Sequence, residues 1–166
     1  MKFTKKATQP VQEKKLSSIW TIEELGAVDA SDMIHWIKLI DLEDWPQQSR
    51  TELKPAMVSN LEWREFGTMM WPIVQELGFN SANTYQHMLS VVMPGHDIPP
   101  HKDQQADYWK FRVHVPLLGN KESFTVMDDG KHFMEVGKAY KVNVKATHSV
   151  YNDGKTPRIH FMFDVR

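Results

Sequence analysis

From Arg158 to Val165 the chain alternates without a break. Arg158, His160, Met162 and Asp164 fall on one face, and Ile159, Phe161, Phe163 and Val165 on the other. Period two with bulky apolar residues on one side is the pattern of a strand with one face against a core. The polar side carries charge and imidazole, so it must line a cavity. Lys110 to Leu117 repeats the device, with Phe111, Val113 and Val115 opposite Arg112 and His114. Tyr85–Met93, Phe124–Met127, His132–Val136, Tyr140–Val144 and His148–Tyr151 read as further strands. Asp128-Asp129-Gly130 and Asn152-Asp153-Gly154 read as turns, the second predicting a hairpin that joins His148–Tyr151 to Arg158–Val165.

Before residue 80 the period is helical. Met33, Ile34, Ile37 and Ile40 follow Ser31, a candidate cap, within residues 31–40. From Asn60 to about Leu77 an apolar stripe runs through Leu61, Phe66, Met69, Met70, Ile73, Val74 and Leu77. Pro72 is expected to kink or split this helix, and Gly78 to stop it. The prediction is mainly β with N-terminal helices: a helical layer at about 17–80 on a double-stranded β-helix core, of jelly-roll or cupin-like type, at about 83–166. Residues 1–16 are polar and Lys-rich and read as a solvated tail, leaving one domain over 17–166.

Composition narrows the chemistry. A formal net charge of −1 gives no electrostatic case for nucleic acid or an anionic membrane as partner. The chain has no cysteine, so any metal rests on His and carboxylates. The polar start and the lack of a long apolar run lead to the expectation of a soluble, cytoplasmic protein.

Four residues carry a candidate reaction. His101-x-Asp103 and His148, 47 residues later, supply two imidazoles and a carboxylate. That set on one face of an octahedral ion leaves positions open for a cosubstrate and O2, as in non-haem Fe(II) oxygenases. Arg158, ten residues after His148, supplies a permanent cation for a carboxylate. Pro99-Pro100 fixes an extended approach to His101 and is expected to end strand pairing there. The same ligand set also suits Zn²⁺ and hydrolysis, which leaves Arg158, Arg112 and His114 without a role. A non-catalytic barrel holding an anion is the other alternative.

The stretch from Ser90 to Val165 resembles the aspartyl/asparaginyl β-hydroxylase family of Fe(II)/2-oxoglutarate oxygenases. The resemblance is carried by Ser90, Met93-Pro94-Gly95, Pro100-His101, Phe111-Arg112-Val113-His114, Glu135-Val136-Gly137-Lys138, His148, Arg158 and Phe163-Asp164-Val165. It implies Fe(II) on His101 and His148, with 2-oxoglutarate and O2 as cosubstrates. It implies that Arg158, helped by Ser90, holds the distal carboxylate of 2-oxoglutarate. Arg112 and His114 would contact either the cosubstrate's inner carboxylate or the substrate. The implied substrate is an amino-acid side chain, free or in a peptide. At Asp103 the chain departs from the best-known vertebrate members, which have glycine there; the acid restores a full two-His, one-carboxylate set.

Overall fold

The computed structural model describes residues 20–39, 52–53, 60–103 and 107–166, with only the backbone described at 52–53 and 60–64. The tail at 1–16, Ile40 and the Leu61 side chain lie outside the described residues. The chain runs β1 (Ile22–Ala27), α1 (Ser31–Ile37), β2 (Glu52–Leu53), α2 (Asn60–Glu76), β3 (Thr84–Val92) and β4 (Asp97–His101). It continues through β5 (Phe111–Leu118), β6 (Ser123–Met127), β7 (Gly130–His132), β8 (Lys138–Val142), β9 (His148–Asn152) and β10 (Arg158–Val165).

The strands form two antiparallel sheets. One has six strands in the order β1-β8-β5-β10-β3-β2, the other four in the order β4-β9-β6-β7. From β3 onward the chain passes back and forth between the sheets, which is the winding of a double-stranded β-helix. The outer face of the six-stranded sheet carries Val113, Val115, Ile159, Phe161 and Phe163, and the helices cover it with Met33, Phe66 and Ile73. Phe66 and Phe161 meet edge to face at 5.7 Å between centroids. The inner face, turned toward the four-stranded sheet, carries the polar set read from the alternation. There Arg112 stands opposite Asp164, His114 opposite Met162, and Ser90 opposite His160. A smaller apolar cluster gathers Met127, Tyr140, Val142 and Val144.

Several expectations are corrected. The stretch 17–80 is not purely helical: β1 and β2 extend the six-stranded sheet at its two edges. β1 escaped the sequence pattern because it is a largely exposed edge strand without apolar alternation; Glu23 and Glu24 pair with Lys141 and Lys138. α2 runs unbroken through Pro72. Ser31 is the first helical residue rather than the cap, and its N–H bonds to Asp29 Oδ1 at 3.0 Å. β7 stops at His132, and Phe133 and Val136 are exposed beyond it. The Asp128-Asp129-Gly130 turn joins β6 to β7 as expected, with Met127 facing Gly130.

Two corrections bear on the site. Pairing does not end at Pro99-Pro100. β4 is an edge strand, where prolines without an N–H are tolerated, and after a register shift its last residue pairs with the first of β9, His101 with His148. Nor do β9 and β10 form a hairpin. The Asn152-Asp153-Gly154 turn carries the chain from the four-stranded to the six-stranded sheet, so His148 and Arg158 come from facing walls. No helix among the described residues is long and apolar enough to cross a membrane.

Candidate metal and anion site

The pairing of β4 with β9 sets two imidazoles side by side, with ring centroids 4.2 Å apart. Each is oriented by a carbonyl two residues upstream. His101 Nδ1 lies 2.8 Å from Pro99 O, and His148 Nδ1 lies 3.0 Å from Ala146 O. A carbonyl only accepts, so each Nδ1 carries a hydrogen, and a neutral ring then presents its lone pair at Nε2. Burial pushes His148 below its ordinary value, which keeps that lone pair available. Asp103 follows on the loop after β4, its N–H bonded to Val144 O at 3.1 Å. Its Oδ1 lies 3.5 Å from His101 Nε2. One ligand atom from each of His101, Asp103 and His148 falls within 4.8 Å of the others. Two imidazole nitrogens and a carboxylate oxygen this close together fit a divalent first-row metal.

Arg158 opens β10 on the inner face and is 3% exposed. Among the described residues no carboxylate pairs with it. Its one hydrogen bond there runs from Nη2 to Thr125 Oγ1 on β6, across the barrel, at 3.4 Å. Burial pushes Arg158 down to about 9, which leaves it charged at neutral pH. A buried cation without a counter-ion is costly, and an anion entering the barrel would remove that cost. Its position is held by the crossover loop. Asn152, fully buried, donates from Nδ2 to Val92 O at 2.8 Å and Thr156 O at 2.9 Å, and its Oδ1 accepts from Asn120 and the Gly154 N–H. A side chain at Gly154 would collide with the Asn120 amide, displacing it from its bonds to Asn152 and Thr156.

Ser90 is buried on the same wall, two residues along β3 from Val92, which faces Arg158. His114 is also buried, with its Nδ1 3.3 Å from His160 Nδ1. Burial, then the charge of Arg158, holds both imidazoles well below their ordinary value. One of the pair donates and the other accepts. Among the described residues His114 Nε2 is buried without a hydrogen-bond partner.

Arg112 lies beside the metal-ligand candidates, where its motif implied, and is held there by two carboxylates. Its Nε and Nη2 grip both oxygens of Asp164 at 2.7 and 3.2 Å, and its Nη1 bonds to Asp103 Oδ2 at 2.8 Å. Trp109 lies beside the guanidinium, 5.1 Å from ring centroid to Cζ. The sequence reading missed Asp164 and His160 as site residues. The signal was present: both share the inner face of β10 with Arg158, and Asp164 is fully buried. Burial, the larger influence, pushes Asp164 up to about 6 against the pull of Arg112. Beside them a bulge in β3 gives Gln86 a φ of 49° and brings Tyr85 opposite Asp164.

Comparison with known proteins identifies the family and the fold. The sequence profile described as aspartyl/asparaginyl beta-hydroxylase matches residues 42–166, three quarters of the chain. No curated protein matches at a significant level. Among solved structures, AviO1 from Streptomyces viridochromogenes Tue57 superposes with a TM-score of 0.59 at 11% identity, over 88% of this chain and 90% of that one. The viral collagen prolyl hydroxylase of Paramecium Bursaria Chlorella virus-1, in a 2-oxoglutarate complex, gives 0.54 at 12% identity, over 91% and 99%. A Pseudomonas putida prolyl-4-hydroxylase gives 0.50 at 13% identity, over 88% and 92%. At these identities the structures share the fold, the cupin-type jelly roll expected from the alternating strands, while the profile match covers both walls of the site. The chain belongs to the aspartyl/asparaginyl β-hydroxylase family.

Proposed function

We propose that this protein is an Fe(II)- and 2-oxoglutarate-dependent oxygenase that hydroxylates an unactivated C–H of an amino-acid side chain, free or within a peptide. The observation that carries the reading is the facing pair of half-sites: His101, Asp103 and His148 aimed at one point, and the uncompensated Arg158 cation on the opposite wall. A ligand that touches a metal at one end and bears an anionic group such as a carboxylate at the other uses both. The 2-oxoglutarate complex of the viral prolyl hydroxylase, on the same fold, supports this choice.

His101 and His148 would hold the metal through Nε2, and Asp103 through Oδ1. Bound iron and 2-oxoglutarate supply the oxidising chemistry by which O2 hydroxylates the substrate, with 2-oxoglutarate ending as succinate and CO2. Arg158 fixes the distal carboxylate by charge and Ser90 adds a hydroxyl. His114, neutral and unpaired at Nε2, offers one further polar contact inside the barrel. The jelly-roll walls exclude water from the reacting centre. The protein needs no general base at the C–H. The proposed partner is an amino acid or peptide, with no part for nucleic acid or membrane, and the proposed location is the cytoplasm.

The test is succinate release from 2-oxoglutarate, with Fe(II) and O2, across a panel of amino acids and peptides. The reading expects release that depends on all three and is lost in His148→Ala. Metal-dependent hydrolysis without succinate would replace it with a Zn²⁺ hydrolase. Ligand binding with no O2 consumption would replace it with a binding module.

A further inference from the structure

We propose that Arg112 is a positioning residue for the Asp103 carboxylate, fixing it as a one-oxygen metal ligand, and that Asp164 holds Arg112 in that role. The inference rests on the oxygenase reading above and assigns Arg112 to the metal half-site rather than to cosubstrate or substrate.

Asp103 is the only one of the three ligands that lies outside a strand. Its own loop therefore gives its side chain little orientation. Arg112 sits within β5 and Asp164 within β10, directly paired across the six-stranded sheet. Asp164 engages one edge of the guanidinium with two bonds, Nε to Oδ1 and Nη2 to Oδ2. A planar fork held along one edge has no rotation left. The remaining nitrogen, Nη1, then points at Asp103 Oδ2 at 2.8 Å. That contact turns Oδ1 toward His101 Nε2. The loop ligand is tied to a rigid wall through one side chain, and one of its two oxygens is already taken.

Charge and geometry make opposite demands here, which gives the proposal a sign. Arg112 puts a positive charge on an oxygen of a metal-binding carboxylate. If it acted only by charge, its removal would tighten binding of a divalent cation. If it acts by aiming Asp103, its removal loosens binding. Outer partners that orient a ligand are worth about 10–100-fold in metal affinity.

The experiment measures Co(II) affinity calorimetrically, without 2-oxoglutarate and without turnover. The variant Arg112→Met/Asp164→Leu removes both buried charges together, so Asp164 is not stranded and only the Asp103 contact is lost. Arg112→Lys is the second variant, since a point ammonium cannot hold two carboxylates at fixed angles. Both are expected to lose about 10–100-fold in Co(II) affinity. In an Asp103→Gly background the same changes are expected to shift affinity by no more than about twofold, because the group they act through is gone. Unchanged or tighter binding in the Asp103 background would overturn the proposal. So would a loss that persists in full without Asp103. His148→Ala is the control: if it too leaves Co(II) affinity intact, the metal site itself fails. A loss in His148→Ala without coupling between Arg112 and Asp103 defeats this inference alone.

Discussion

Replacing Arg158 with Met should move two measurements in opposite directions. The guanidinium is 3% exposed and, among the described residues, its hydrogen bond to Thr125 at 3.4 Å is its one polar contact. In the ligand-free protein it is a buried charge with little compensation. Met keeps most of the volume and removes the charge, so unfolding free energy should hold or rise, by about 1 kcal/mol or more. With 2-oxoglutarate bound the balance reverses. Removing one partner of a buried ion pair leaves the ligand carboxylate stranded, which costs about 3–5 kcal/mol. At about 1.4 kcal/mol per tenfold, affinity should fall by about 150- to 5,000-fold. Urea denaturation of the ligand-free protein and anaerobic calorimetry with Mn(II) and 2-oxoglutarate give the two numbers. A destabilised variant would mean that Arg158 has a structural counter-ion. Affinity within about threefold of wild type, against the loss expected for a broken buried pair, would remove Arg158 from the cosubstrate site.

Three further outcomes are expected. Phe161→Ala, on the fully buried outer face of β10 against Phe66, should lose about 3–5 kcal/mol in urea denaturation while leaving metal affinity near wild type. Asn152→Ala unties the crossover loop from Val92 and Thr156 and should lose about 3 kcal/mol, with weaker 2-oxoglutarate binding because Arg158 follows that loop. Stability should also fall with acid. His87, His114 and His160 are all held below 6.5 by burial, so below pH 6.5 the unfolded chain binds protons that the folded chain does not. At pH 5.5 each imidazole that stays neutral costs about 1.4 kcal/mol relative to neutral pH. Asp164, pushed up to about 6, works in the opposite direction as it takes up a proton in the folded state. Denaturation series at pH 7.5 and 5.5 on metal-free protein should show the net loss, and a stability that rose toward pH 5.5 would contradict the burial of these imidazoles.

What the sequence disclosed and what it hid have physical reasons. The inner face of β10 was legible because period two is local: Ile159, Phe161 and Phe163 need a core, which turns Arg158, His160 and Asp164 inward. The three metal-ligand candidates were legible because His-x-Asp and a distal His are a chemical pattern independent of how the strands pair. Sheet partnership was not. Asn152-Asp153-Gly154 offers the same turn chemistry to a hairpin as to a crossover, and only the register of β10 with β3 and β5 decides between them. Pro99-Pro100 read as a break because prolines cannot donate, but an edge strand leaves one row of donors unused and β4 lies at an edge. Arg112 was legible near the metal through its Arg-x-His motif, but its partner Asp164, 52 residues away, was not. Its pairing with Asp164 needs the β5–β10 register, which no local signal carries.

The central claim is that two imidazoles and one carboxylate oxygen hold a single ferrous ion opposite an anchoring guanidinium. Crystals grown anaerobically with Fe(II) and 2-oxoglutarate, with diffraction recorded at the iron absorption edge, test it most directly. The account predicts one anomalous peak bonded to His101 Nε2, His148 Nε2 and Asp103 Oδ1, with a carboxylate of the bound ketoacid against Arg158. An iron peak elsewhere, or a ketoacid that leaves Arg158 uncontacted, would contradict it.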